Sequence, residues 1–145
     1  MASGVVIYVV TRDEQLAPES MLAMGARAQC DERRVTVYLP KAWATATLAN
    51  LRGNGQIGIN MTRPIDHKSL QIKGTYLAAR DSTDADRELQ AVHRAALVEQ
   101  FALVGVPRSL TRRLVWWPSV AVDVDVKEAF SQTPGPGAGE RLPGC

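Results

Sequence analysis

Val120-Ala121-Val122-Asp123-Val124-Asp125-Val126 carries valine at every even position, with alanine or aspartate between. Side chains of a strand point alternately to its two faces, so this stretch has one apolar, buried face and one wet face. Asp123 and Asp125 share the wet face. They read as a solvated strand face rather than a glycosidase-like pair, whose second carboxylate would stand across a cleft.

Five more strands are legible outward from this one. Val5-Val6-Ile7-Tyr8-Val9-Val10 is a β-branched run with no helical period, and Val35-Thr36-Val37-Tyr38-Leu39 is another, stopped by Pro40. Residues 20–28 read as one strand broken at Gly25, and residues 56–62 as the next. Residues 70–79 read as a strand whose Gly74 marks a bulge or a close backbone approach. Residues 41–52 are rich in Ala and Leu and read as a helix stopped by Gly53, with Trp43, Thr47, Asn50 and Leu51 on one face. Thr83-x-x-Asp86 resembles a capping box opening a long helix to about Val104, its apolar side carried by Leu89, Val92, Ala96 and Val104. Pro107 opens a second, short helix. Strand–helix alternation is absent, which excludes a parallel doubly wound sheet. A mainly β fold follows: a six-stranded antiparallel barrel with peripheral helices.

The chain has 145 residues, 46% hydrophobic and 22% charged, and a net charge of +2. This is one globular domain, expected over residues 1–131. The tail of residues 132–145, opening Gln132-Thr133-Pro134-Gly135-Pro136-Gly137, is expected to pack on the barrel or on a partner chain. The small net charge argues against a nucleic-acid binder, and Arg33-Arg34 and Arg112-Arg113 read as solvated pairs. No run of about 18 apolar residues suggests a membrane span. Two cysteines, Cys30 and Cys145, read as ordinary free thiols, and Met1-Ala2-Ser3-Gly4 lacks the features of a secretory signal. A cytoplasmic chain is expected.

Self-contained catalytic chemistry is not visible. There is no phosphate-loop or dinucleotide fingerprint and no nucleophile elbow. His67 and His93 lack metal-ligand spacing, so no metal is expected. His93 reads as a surface or packing residue of the long helix. His67 lies in the charged loop beside Asp66 and Lys68, solvated or touching a ligand. An enzyme of this kind would leave the hard chemistry to a cofactor.

The order Val35 to Pro40, then Thr45-Ala46-Thr47-Leu48-Ala49-Asn50-Leu51-Arg52-Gly53-Asn54, then Ile57 to Thr62, then Ser69-Leu70-Gln71-Ile72-Lys73-Gly74 resembles the FMN-binding split barrel of the pyridoxamine 5'-phosphate oxidase-like superfamily. The resemblance covers residues 5–139 and points to a branch of small uncharacterised members. It implies a homodimer with two FMN sites at the interface and a flavin that carries hydride or electrons for a small substrate, hence an oxidoreductase. A non-catalytic module for flavin, deazaflavin or haem is the alternative. Residues that hold pyridoxal phosphate in the true oxidases have no counterpart, so that activity is not expected.

The resemblance also implies a site. The flavin ring would lie along the strand that ends at Tyr38, Leu39 and Pro40, and the phosphate would sit where the next helix begins. A Ser-Arg-Lys sequence often grips it there. Counting back from Leu51 and Asn54 matches these three to Thr45, Ala46 and Thr47. A hydroxyl is kept and both cations are lost, so Lys41, Arg52 or Lys68 would have to substitute. A glutamine on a following strand commonly reaches the flavin; Ser69 and Gln71 share the relevant face, with Gln71 the better match by chemistry.

Overall fold

The computed structural model describes residues 4–143. Its core is one seven-stranded antiparallel sheet: β1 (Val6–Arg12), β2 (Pro18–Ala23), β3 (Ala26–Gln29), β4 (Arg34–Pro40), β5 (Gln56–Thr62), β6 (Ser69–Asp81) and β7 (Ser119–Ser131). The spatial order is β2-β1-β5-β6-β7-β4-β3. The barrel is therefore open and has seven strands, not the six expected. The difference arises at Met24-Gly25. Residues 20–28 are not one strand: β2 pairs with β1, while β3 pairs with β4 at the far edge of the sheet. Two residues can carry the chain between these edges only because the sheet is strongly curled. Gly25 takes a positive φ of 133° there, a conformation that suits glycine. Met24 N–H donates to the Tyr38 carbonyl and Tyr38 N–H to that of Gly25, so β4 fastens the crossing.

The inner face is built as the alternation predicts. Val120, Val122 and Val124 are buried with Ile7, Val9, Val35, Val37, Ile57 and Ile59. Gly74 serves both roles foreseen for it. The β6–β7 register shifts between Lys73 and Gly74, and a Cβ at Gly74 would lie 2.5 Å from Val124 Cγ1 and 2.6 Å from the Asp125 carbonyl oxygen. On the outer face Asp123 accepts a 2.6 Å hydrogen bond from Thr36 Oγ1, and Asp125 pairs with Lys127.

The helices depart from expectation in instructive ways. Residues 41–43 form a separate 3₁₀ turn, and α1 (Thr45–Asn54) runs through Gly53 to end at Gly55, whose φ is 70°. α2 (Asp84–Leu103) has the capping box in full: Thr83 accepts from the Asp86 N–H, and the Asp86 carboxylate accepts from the Thr83 N–H. Its buried residues, however, are Asp86, Gln90, His93, Leu97 and Val98. Val92 is 62% exposed. A polar stripe at i, i+4, i+7 thus faces inward where an apolar one was expected. α3 is short (Arg108–Thr111). The following Trp116-Trp117 pair is half-buried under Arg87 and Arg94 of α2, at 5.1–5.9 Å from the ring centres.

After β7 the chain turns back. Gln132 N–H donates to the Ser69 carbonyl, Gly139 N–H to that of Ser131, and Leu142 N–H to that of Ala129. Cys30 is disulfide-bonded and is not the free thiol expected; Cys145 and the initial Met1-Ala2-Ser3 lie outside the described residues. No helix of the described residues is long and apolar enough to cross a membrane.

Candidate functional site

Pro40 ends β4, the 3₁₀ turn Lys41–Trp43 redirects the chain, and α1 starts at Thr45. The N-cap residue is Ala44, which offers no side-chain acceptor, and no acid occupies the first turn. The first N–H groups of a helix have no partner within it and carry partial positive charge. Here no side chain of the cap quenches them, and the Thr45 side chain is exposed beside them. A hollow of about 290 Å³ adjoins this corner, lined by Ser20, Leu22, Pro40, Trp43, Leu114 and Val115 among others. Trp43 is 64% and Val115 42% exposed, so its rim is apolar and uncovered in a single chain.

The other residues matched to the site fall into three places. Tyr38 and Leu39 are fully buried, so any contact from this part of β4 to a ligand belongs to the backbone. Thr47 is also fully buried and its Oγ1 has no hydrogen-bond partner, while Ala46 is exposed. Lys41 Nζ is 2.7 Å from Asp81 Oδ1, an exposed pair at the end of β6. Arg52 is exposed on α1.

Lys68, Ser69 and Gln71 lie at the opposite end of β6. Ser69 Oγ donates to the His67 carbonyl at 2.8 Å and shares a hydrogen bond with Thr62. Gln71 Oε1 accepts from Gln132 Nε2 at 3.2 Å. Ten residues separate Gln71 from Asp81, about 33 Å along an extended strand. One chain therefore does not bring Gln71, Ser69 and Lys68 to the corner that holds Pro40, Lys41 and Thr45. His67 is exposed in its loop, where Arg63 pairs with Asp66 and holds that carboxyl down to about 2.

A buried polar cluster escaped the sequence reading. Tyr38 Oη donates to Asp86 Oδ1 at 2.9 Å, and Arg80 Nη1 donates to Asp86 Oδ2 at 2.6 Å. Burial, then the bond to Asp86, raises the Tyr38 pKa to about 12. Burial opposes ionisation of Asp86, but Arg80, Thr83 and Tyr38 overcome it and hold the carboxyl well below its usual range. The capping motif was visible; the 48-residue reach to Tyr38 was not. Tyr38 is a locked packing residue with no free hydroxyl to act as an acid. Among the described residues, no three His, Cys, Asp or Glu side chains gather as a metal site.

This architecture is that of the FMN-binding split barrel, the fold of pyridoxamine 5'-phosphate oxidase-like proteins. Solved structures with the same fold include a protein from Clostridium acetobutylicum related to general stress protein 26, of the pyridoxinephosphate oxidase family (12% identity, 94% of this chain and 85% of that one, TM-score 0.53). An FMN-binding protein from Syntrophomonas wolfei subsp. wolfei aligns at 10% identity over 86% of this chain and 75% of that one (TM-score 0.52). HupZ of Group A Streptococcus aligns at 17% over 93% and 90% (TM-score 0.55). No family model and no curated protein matches the sequence.

Proposed function

We propose that this chain binds FMN as a homodimer and works as a flavin-dependent oxidoreductase on a small substrate. The observation that carries the reading is the uncapped N-terminus of α1 beside the hollow at Pro40 and Trp43, on a fold that the FMN-binding protein of S. wolfei shares. The residues present fit a phosphate in kind: free helix N–H groups and the Thr45 hydroxyl are anion donors. They fit it weakly, because no cation stands unpaired at Ala46 or Thr47. When bound, FMN would supply the hydride or electron chemistry. The protein's part is to hold the phosphate at Thr45, wall the ring with Pro40 and Trp43, and exclude water.

The dimer is supported by what a single chain leaves undone. Trp43 and Val115 rim the hollow uncovered, and the Gln71 end of β6 could meet the Thr45 corner only in another copy. The Trp116-Trp117 pair adds little to this, since Arg87 and Arg94 stack over its rings.

A second reading, a non-catalytic holder of flavin, deazaflavin or haem, is favoured by the loss of both cations and by the sealed Tyr38 hydroxyl. The absorbance spectrum of freshly purified protein separates the readings. Flavin bands, with reduction by a nicotinamide donor, support the oxidoreductase; a stable unreacting flavin or a Soret band supports the holder.

A further inference from the structure

A second void lies apart from the hollow. It is an apolar cavity of about 1070 Å³, walled on the sheet side by Ile7, Val35, Ile72 and Ala129 and on the helix side by Leu89 and Val92 of α2. Its size is at the top of the range for small-molecule sites. Val35 is five residues from Pro40 on β4, about 16 Å along the strand, so the two voids occupy opposite ends of the barrel. The inverted face of α2 acquires a reason here: Leu89, Val92 and His93 line this space, while Asp86 bonds to Tyr38 and Gln90 packs at Gly25.

Two polar side chains bear on this cavity, one at its exposed fringe and one buried in its wall. At the fringe, Lys127 is paired with Asp125, and Arg141 stands 3.6 Å from Glu128. Arg33 donates only to the carbonyls of Val126 and Lys127, and among the described residues no carboxylate pairs with it. In the wall, His93 is 3% exposed, and burial lowers its pKa to about 4, so the ring is neutral near pH 7. Its Nδ1 accepts from the Gly4 N–H, which makes Nε2 the protonated nitrogen. Nε2 is buried with no acceptor.

We propose that this cavity is a second ligand site, for an apolar monocarboxylic acid of fatty-acid type. The carboxylate is held at Arg33 and the hydrocarbon lies against the Ile7, Val35 and Ile72 wall. A hydrocarbon body fits a wall of this composition, and the exposed Arg33 guanidinium at the rim, whose charge is shared only at longer range with Asp125, selects an anion over an alcohol. A nucleotide does not fit: it would bury its polar groups against aliphatic side chains without partners. The inference is independent of flavin binding at the other end.

The test uses the full chain and the fluorescent acid cis-parinarate, displaced by laurate, by 1-dodecanol or by FMN. Saturable binding of one parinarate per chain is expected, with laurate displacing it at least about tenfold better than dodecanol. Arg33→Gln should remove that preference while leaving dodecanol competition unchanged. Ala129→Trp, which fills the cavity, should abolish parinarate binding. Arg33→Gln lies on the surface and guards against misfolding of the filled variant. Absence of saturable binding, equal competition by acid and alcohol, or displacement by FMN would each overturn the proposal.

Discussion

Asp86→Ala is the substitution whose cost the structure fixes best. The carboxylate accepts from Tyr38 Oη, from the Thr83 N–H and hydroxyl, and from Arg80. Truncation strands the buried Tyr38 hydroxyl, at about 1–3 kcal/mol. It removes half of the capping box of α2, about 1 kcal/mol. The Arg80 pair adds less than about 1 kcal/mol, since the guanidinium is half in water. The total is about 2–5 kcal/mol, a large part of the 5–15 kcal/mol typical of a domain. At about 2–4 °C per kcal/mol for a chain of this length, the melting temperature should fall by roughly 4–20 °C. Tyr38→Phe alone should cost about 1 kcal/mol. The double variant should cost less than the sum by about 1 kcal/mol or more, because the stranded hydroxyl is gone. Urea unfolding of the four proteins completes the cycle. Strict additivity, or an Asp86→Ala cost below about 1 kcal/mol, would refute the cluster as the clamp of α2 on the barrel.

Four further outcomes are expected. Gly74→Ala should destabilise by about 1–3 kcal/mol, since its Cβ would meet Val124 and the Asp125 carbonyl; an unchanged urea midpoint would contradict the bulge geometry. His93 has a folded pKa of about 4, below the unfolded value, so the unfolded chain binds the extra proton and stability falls as pH drops from about 6.5 to 4; this slope should vanish in His93→Gln. Asp86, depressed in the folded state, contributes above the unfolded carboxyl pKa and loses its contribution at more acid pH, so Asp86→Asn should flatten only the region below about pH 4. Ala46→Arg, at an exposed position in the first turn of α1, should tighten FMN about tenfold and leave riboflavin unchanged, whereas Thr47→Lys should lower stability because Thr47 is sealed.

What the sequence revealed and concealed divides along physical lines. Alternation at Val120–Val126 and the β-branched runs mark the sheet because period-two burial is local. Gly74 announced its close approach, since a glycine amid strand residues has little other use. The strand count failed at Gly25, because a crossing between sheet edges looks like a break in one strand until the pairing partners are known. The face of α2 was misread for a related reason. Asp86, Gln90 and His93 are buried by partners far along the chain, whereas Leu89 and Val92 face a cavity that no periodicity records. Within the candidate site, the corner at Pro40 and Thr45 follows from the break between β4 and α1. The separation of Gln71 from it follows from the 13-residue length of β6, which the reading of residues 70–79 had understated.

Titration of FMN into the purified protein, followed by quenching of flavin fluorescence, tests the central claim most directly. The account predicts saturation at one FMN per chain, with riboflavin binding more weakly by the contribution of the phosphate donors at α1. Failure to saturate by about 1 mM, a Kd weaker than about −4 kcal/mol of binding free energy, would contradict it, as would equal affinity for FMN and riboflavin.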